Sequence, residues 1–115
     1  MGELIPKPWG RFETHYRSPE CVFKIITVDP HARLSLQYHL GRSEVWLCLS
    51  GAGEAIVGHQ TQQLQAGSKV EVGIGETHQL RNVGDEPLIV AEMQCGECEE
   101  NDIVRIEDDY GRGSP

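Results

Sequence analysis

Two histidines, a glutamate and a glutamine stand at spacings that suit a metal centre. Gln37 and His39 are two positions apart, Glu44 follows five residues after His39, and His78 comes much further along the chain. On a β-strand, residues two apart point to the same face, so Gln37 and His39 would project together. Imidazole, amide and carboxylate ligands suit a borderline or hard divalent ion, and this set contains no thiolate that would favour a soft metal.

Zinc is the first expectation for such an ion, with cobalt, manganese, nickel and iron as alternatives. An ion with this set of protein ligands can still take up water or substrate when its coordination expands. Each residue alone has an ordinary explanation, because strand histidines are usually hydrogen-bonded and Glu or Gln side chains are usually exposed. Their joint spacing favours the metal. Glycines also occupy the turn positions that this spacing requires: Gly51, Gly67, Gly73 and Gly75.

Short strands must position these ligands, because β-branched or aromatic stretches alternate with glycine-bearing turns and helical periodicity is nearly absent. Turns are predicted at 51–53 and 84–87. Many short strands without crossover helices predict an all-β, antiparallel double-sheet jelly roll that encloses a site between its sheets. The predicted strands are 11–16, 22–28, 34–39, 44–50, 54–57, 62–64, 69–72, 78–82, 88–94 and 103–106.

The strand that Glu44 opens is apolar on both faces. Val45, Leu47 and Leu49 share one face, and Trp46 lies on the other with Glu44. A strand of this kind is usually buried on both sides. We therefore expect one face to line the barrel and the other to pack between sheets or subunits.

Length and charge limit the classes of function. The 115 residues are predicted to form one domain, 1–115. The formal net charge of -8, with acidic residues gathered between Glu97 and Asp109, makes nucleic acid and anionic membranes poor partners. No charged-then-apolar leader follows Met1, and no apolar run approaches the roughly 20 residues of a membrane span. A cytoplasmic protein is expected.

Four cysteines invite a disulfide or zinc interpretation, but cytosolic thiols usually stay reduced. Cys95 and Cys98 have the spacing of a redox motif, yet no βαβ pattern surrounds them and no second such pair exists. Packing is the expected role of all four: Cys21, Cys48, Cys95 and Cys98. Three further histidines sit among polar or loop residues and are expected at the surface: His15, His31 and His59.

The ligand spacing resembles the two cupin signatures, of which the second here runs Gly-x5-Gly-x-Gly-x2-His-x3-Asn and ends at Asn82. Longer segments at 8–13, 32–39, 42–46 and 102–112 resemble type II mannose-6-phosphate isomerase, and this match covers nearly the whole chain. In many members of that family the same module follows a mannose-1-phosphate guanylyltransferase domain. The resemblance implies a cupin double-stranded β-helix, and a homodimer, because cupin jelly rolls often pair.

The same resemblance implies a metal-dependent aldose–ketose isomerase that interconverts mannose 6-phosphate and fructose 6-phosphate through an enediol. Three neutral ligands and one carboxylate leave the divalent ion with net positive charge, which can polarise the carbonyl and stabilise the enediolate. By resemblance, the metal ligands are Gln37, His39, Glu44 and His78.

Arg42 matches the basic position of the family between the ligand histidine and the ligand glutamate, which makes it the first candidate for catalysis. With a pKa above about 12, a guanidinium is a poor base, so we expect electrostatic stabilisation or phosphate binding. Other cations could clamp the phosphate, although each could equally be a surface charge or part of a structural ion pair. These substrate-binding candidates are Arg33, Lys24, Arg81 and Arg105.

Where family members carry additional histidines, this chain has Leu40, Gly41 and Val45. A histidine in place of Val45 would offer a polar group that could face the sugar. Its loss motivates an alternative, a non-catalytic cupin that binds a sugar phosphate or a nucleotide sugar. An iron-dependent oxygenase is a third hypothesis, since two histidines and a carboxylate can form a facial triad. Gln37 as a fourth ligand and the isomerase-like ends argue against it.

Overall fold

The computed structural model describes residues 3–112, and the predicted domain 1–115 extends beyond this range at both ends. Nothing in the described range forms an apolar helix long enough to cross a membrane. The range folds as eleven strands: β1 (Glu3–Lys7), β2 (Gly10–Arg17), β3 (Cys21–Val28), β4 (Leu36–Tyr38), β5 (Arg42–Ser50), β6 (Gly53–Val57), β7 (Gln60–Leu64), β8 (Lys69–Val72), β9 (His78–Arg81), β10 (Leu88–Gly96) and β11 (Val104–Glu107).

The strands pair in two antiparallel sheets. Six strands form the larger sheet in the order β1-β2-β3-β10-β5-β8, and five form the smaller sheet in the order β11-β4-β9-β6-β7. The apolar core lies between the sheets and includes Trp9, Trp46 and Leu80. The all-β jelly-roll prediction is confirmed.

All ten predicted strands are present, with ends that differ by a few residues. The prediction missed β1, because Pro6 interrupts its short strand pattern. β1 lies at the edge of the larger sheet, where a residue without an N–H group is tolerated.

The two faces of β5 differ in burial. Trp46 and Cys48 point into the core, whereas Leu47 and Leu49 on the opposite face are 41% and 43% exposed. The expectation that β5 is buried on both faces is therefore wrong within this chain. Within residues 3–112, no second layer covers these leucines on the outer face of the larger sheet, and the homodimer that would cover them stays a prediction.

Candidate functional site

A cavity of about 120 Å³ lies between the two sheets. It is much larger than the roughly 10–15 Å³ that a single water molecule needs. All four predicted metal ligands line it, and none is more than 9% exposed: Gln37, His39, Glu44 and His78.

Three strands bring these ligands together. Gln37 on β4 lies directly opposite His78 on β9 in the smaller sheet, and His39 follows the end of β4. Glu44 comes from β5 in the larger sheet. The ligand atoms of His39, Glu44 and His78 all lie within 4.8 Å of one another. The cluster therefore joins the two sheets across the cavity.

Backbone carbonyls orient both imidazole rings. Nδ1 of His39 lies 2.6 Å from the carbonyl oxygen of Asp102, and Nδ1 of His78 lies 2.9 Å from that of Glu76. A carbonyl can only accept, so each Nδ1 carries a hydrogen, and each ring presents Nε2 to the cluster. Burial lowers the pKa of His78, which favours its neutral form. Metal ligation requires this tautomer.

Glu44 is the centre of the cluster. One carboxylate oxygen lies 3.2 Å from Nε2 of His39, and the other lies 3.9 Å from Nε2 of His78. The Trp46 indole donates a hydrogen bond of 2.9 Å to the latter oxygen. Burial works to raise the pKa of Glu44, but the hydrogen bond with His39 and the adjacent His78 outweigh it and lower the pKa. Glu44 is therefore a carboxylate.

The donor set fits a divalent ion. Imidazole lone pairs and carboxylate oxygens are all acceptors, so their close approach requires a proton or a cation between them. Two ligands bound about 2.0–2.2 Å from a tetrahedral ion lie roughly 3.3 Å apart, close to the separation between Glu44 and His39.

Arg42, the predicted catalytic residue, is buried against the same cluster. Its Nε donates to Glu44 at 3.0 Å, its Nη1 donates to the carbonyl of Glu99 at 3.1 Å, and its Nη2 lies 3.3 Å from Nε2 of His39. These contacts hold a permanent positive charge beside the carboxylate. The guanidinium can stabilise negative charge that develops on a ligand in the cavity.

Two buried residues of β10 also line the cavity and were not predicted from the sequence, Glu92 and Gln94. The Gln94 amide donates to Glu92 at 2.8 Å. Burial, and then the charge of Glu44, raise the pKa of Glu92 to about 8. A signal in the sequence could have revealed them. They are two positions apart in an otherwise apolar strand, so both point to the same face.

Two of the four predicted substrate-binding cations, Lys24 and Arg105, line the cavity. Lys24 is buried and pairs with Glu100 at 3.1 Å. Two cations that were not predicted, Lys7 and Arg112, line it as well.

Arg33 and Arg81 lie outside the cavity lining. Arg33 donates bidentate hydrogen bonds to the carboxylate of Asp109 at 2.7 and 2.8 Å. Arg81 donates to Gln79 at 2.9 Å. Both guanidinium groups are engaged in structural contacts, so their placement lends no support to the prediction that they bind substrate.

The remaining histidines and all four cysteines lie outside the cavity lining. The histidines are exposed, and the cysteines are free thiols. Cys48 packs in the apolar core. These residues are His15, His31 and His59, with Cys21, Cys48, Cys95 and Cys98.

Residues 2–108 match the family model described as mannose-6-phosphate isomerase C-terminal. The chain belongs to this mannose-6-phosphate isomerase family. It is 40% identical over 109 residues to the xanthan biosynthesis protein XanB of Xanthomonas campestris pv. campestris, a match that covers 94% of this chain and 23% of XanB. It is 38% identical over 109 residues to a mannose-1-phosphate guanylyltransferase of Klebsiella pneumoniae, with the same coverage of 94% and 23%.

The chain thus spans about a quarter of the length of the curated relatives it matches. Its fold is similar to that of an uncharacterized conserved protein with a double-stranded β-helix domain from Klebsiella pneumoniae. That likeness has a TM-score of 0.73 at 21% identity and covers 93% of this chain and 87% of the other. The predicted cupin fold is confirmed.

The positions where this member of the isomerase family lacks additional histidines do not line the cavity. Leu40 is 68% exposed. Val45 alternates with the buried Glu44 and Trp46 along β5, so it belongs to the outer face of the sheet. The expectation that a histidine at Val45 would face the sugar is therefore wrong, because a side chain at this position points away from the site.

Proposed function

We propose that this chain is a metal-dependent isomerase that interconverts mannose 6-phosphate and fructose 6-phosphate. The observation that carries the proposal is the convergence of His39, Glu44 and His78 inside the cavity of a chain that belongs to this isomerase family. The departures at Leu40, Gly41 and Val45 lie outside the cavity lining, so they leave the site intact.

His39, Glu44 and His78 would hold the ion, with Gln37 as a fourth ligand and zinc as the first expectation. The Nε2 group of Gln37 donates to the carbonyl of Ser35 at 3.4 Å, which leaves its Oε1 free to ligate. When bound, the divalent ion supplies positive charge that polarises the sugar carbonyl and stabilises an enediolate.

Proton transfer between adjacent sugar carbons requires a group that accepts a proton and returns it. Glu92 has the placement for this role, because its carboxyl lines the cavity and is held by the Gln94 amide. Arg42 is unsuited to it, because a guanidinium keeps its protons in proteins and has no acceptor atom. Arg42 instead stabilises negative charge on the sugar oxygens.

Two other polar atoms in the cavity wall favour a ligand rich in hydroxyl groups. Within residues 3–112, the buried Ser35 Oγ and Gln94 Oε1 have no hydrogen-bond partner, and both residues line the cavity. A buried polar group left unpaired costs about 1–3 kcal/mol. A sugar that supplied the missing hydrogen bonds would recover this free energy on binding.

The test is fructose 6-phosphate formation from mannose 6-phosphate by purified protein supplied in turn with zinc, cobalt, manganese and nickel. We expect turnover with at least one metal and its loss on chelation. Glu44→Gln should abolish turnover, whereas the matched change Glu71→Gln, at an exposed carboxylate of β8, should not. Absence of turnover with every metal would reject the isomerase. Tight binding of mannose 6-phosphate without turnover would favour a non-catalytic sugar-phosphate module.

A further inference from the structure

Three cationic side chains that line the cavity lie close enough to repel one another, and we call them the cation rim: Lys7, Arg105 and Arg112. Lys7 ends β1 at the edge of the larger sheet, and Arg105 lies on β11 at the edge of the smaller sheet. Lys7 is exposed, whereas the metal-ligand cluster is buried. The first and last strands of the described range therefore both contribute cations to the lining of one cavity.

The cation rim carries an excess of positive charge. Arg112 donates to both oxygens of Asp108, at 2.8 and 2.9 Å. One of the three cations is thus neutralised, which leaves two. Partial burial of its ammonium is the main cause that lowers the pKa of Lys7, and the positive charges of Arg112 and Arg105 lower it further. Burial and then Arg112 lower the pKa of Arg105. Mutual repulsion of this kind is relieved by an anion.

Arg105 also has an unused donor. Its Nε is buried and has no hydrogen-bond partner within the described range 3–112. A guanidinium presents its N–H groups as a planar fork that matches two oxygens of a phosphate. The Phe12 ring supports the same region, with the ammonium of Lys24 at 4.1 Å and that of Lys7 at 5.7 Å from its centroid.

We propose that the cation rim binds the phosphate group of the substrate, so that the carbonyl end of the sugar points toward His39, Glu44 and His78. A phosphate monoester carries about −1.5 to −2 charges at pH 7, which matches the two uncompensated cations. The assignment of this anion to a sugar phosphate rests on the proposed isomerase function.

The test is calorimetric titration of the metal-loaded protein with mannose 6-phosphate, mannose and inorganic phosphate. Arg105→Gln should weaken mannose 6-phosphate binding about tenfold or more, because it removes charge-assisted hydrogen bonds. Lys7→Gln, at an exposed position, should weaken it several-fold without affecting the fold. Neither change should alter the binding of mannose, and inorganic phosphate should compete with mannose 6-phosphate in the wild type. The matched control, Arg81→Gln, removes a cation outside the cavity and should leave affinity within about twofold.

The proposal is overturned if wild-type protein binds neither inorganic phosphate nor mannose 6-phosphate, or if the two rim variants bind like the Arg81→Gln control. If the rim variants turn over substrate and bind it with unchanged affinity, the phosphate site at the cation rim is rejected and the isomerase function is retained. If the rim variants lose affinity but no metal form of the wild type shows turnover, the isomerase function is rejected and the phosphate site is retained. Thermal melting of each variant shows whether it is still folded. Partial recovery of affinity in Arg105→Lys, which restores the charge without the planar fork, would show that the loss in Arg105→Gln is a loss of charge.

Discussion

The metal-ligand cluster and the cation rim face one cavity but are built in opposite ways. In the cluster, His39 and His78 are each held by a backbone carbonyl, Glu44 is held by its neighbours, and all three are buried. In the rim, Lys7 is exposed and Arg105 keeps an unused donor. The cluster is preorganised for a small ion, whereas the rim has long side chains that suit a group supplying its own acceptors.

The largest effect is expected from His78→Gln. The change removes a proposed ligand whose Nε2 the structure directs into the cluster, so metal affinity should fall by at least about 100-fold and isomerase activity should disappear. Metal content after dialysis and turnover measure both. His59→Gln, at an exposed turn histidine, is the control and should change neither. A His78→Gln protein with full metal content would show that the cluster is not the metal site.

A smaller effect is expected from Glu92→Gln, which keeps the shape of the side chain but cannot transfer a proton. The value of kcat should fall by about 10²–10⁴, while KM and metal content stay close to those of the wild type. Glu107→Gln, an exposed carboxylate on β11, serves as the control. An unchanged kcat in Glu92→Gln would mean that another group moves the proton. A raised KM alone would place Glu92 with the substrate-binding residues.

The smallest effect concerns Asp108, which anchors Arg112 in the rim. Hydrogen bonds from Arg112 lower the pKa of Asp108 from 3.8 to about 2. Because this pKa is depressed in the folded state, the stabilisation is present above about pH 4 and is lost as the pH falls toward 2. Asp108→Asn should therefore lower Tm at pH 7, and the difference in Tm between this variant and the wild type should disappear near pH 2.

Thermal melts at pH 7, 4 and 2 measure this difference in Tm between Asp108→Asn and the wild type. Asp85→Asn, in a pair that is largely exposed to solvent, should show little change at any pH. A gap of equal size at every pH would show that Asp108 stabilises the protein through packing and not through its charge.

The metal-ligand cluster was predictable because its signals are local. Alternation places Gln37 and His39 on one face, and glycine-bearing turns return later strands to the same site. Two buried cavity residues beside the cluster that escaped prediction, Glu92 and Gln94, are polar side chains in an apolar strand. Polarity alone does not tell whether such a side chain points to the cavity or to solvent.

The cation rim was predictable only in part, because the availability of a cation depends on residues distant in the chain. Arg33 is occupied by Asp109, 76 positions away, whereas Arg105 keeps an unused donor. Lys7 lies on β1, a strand that was not predicted because Pro6 interrupts its sequence pattern.

Residue types and spacing were sufficient to identify ten of the eleven strands in residues 3–112, the jelly-roll class and four candidate ligands, since all of these follow from backbone periodicity and coordination chemistry. Only the tertiary structure decided which charges remain uncompensated, which buried polar atoms face the cavity, and where a side chain at Val45 points. Those properties depend on the pairing of strands that are distant in the chain, for example of β11 with β4, which brings Arg105 to the cavity that Lys7 of β1 also lines.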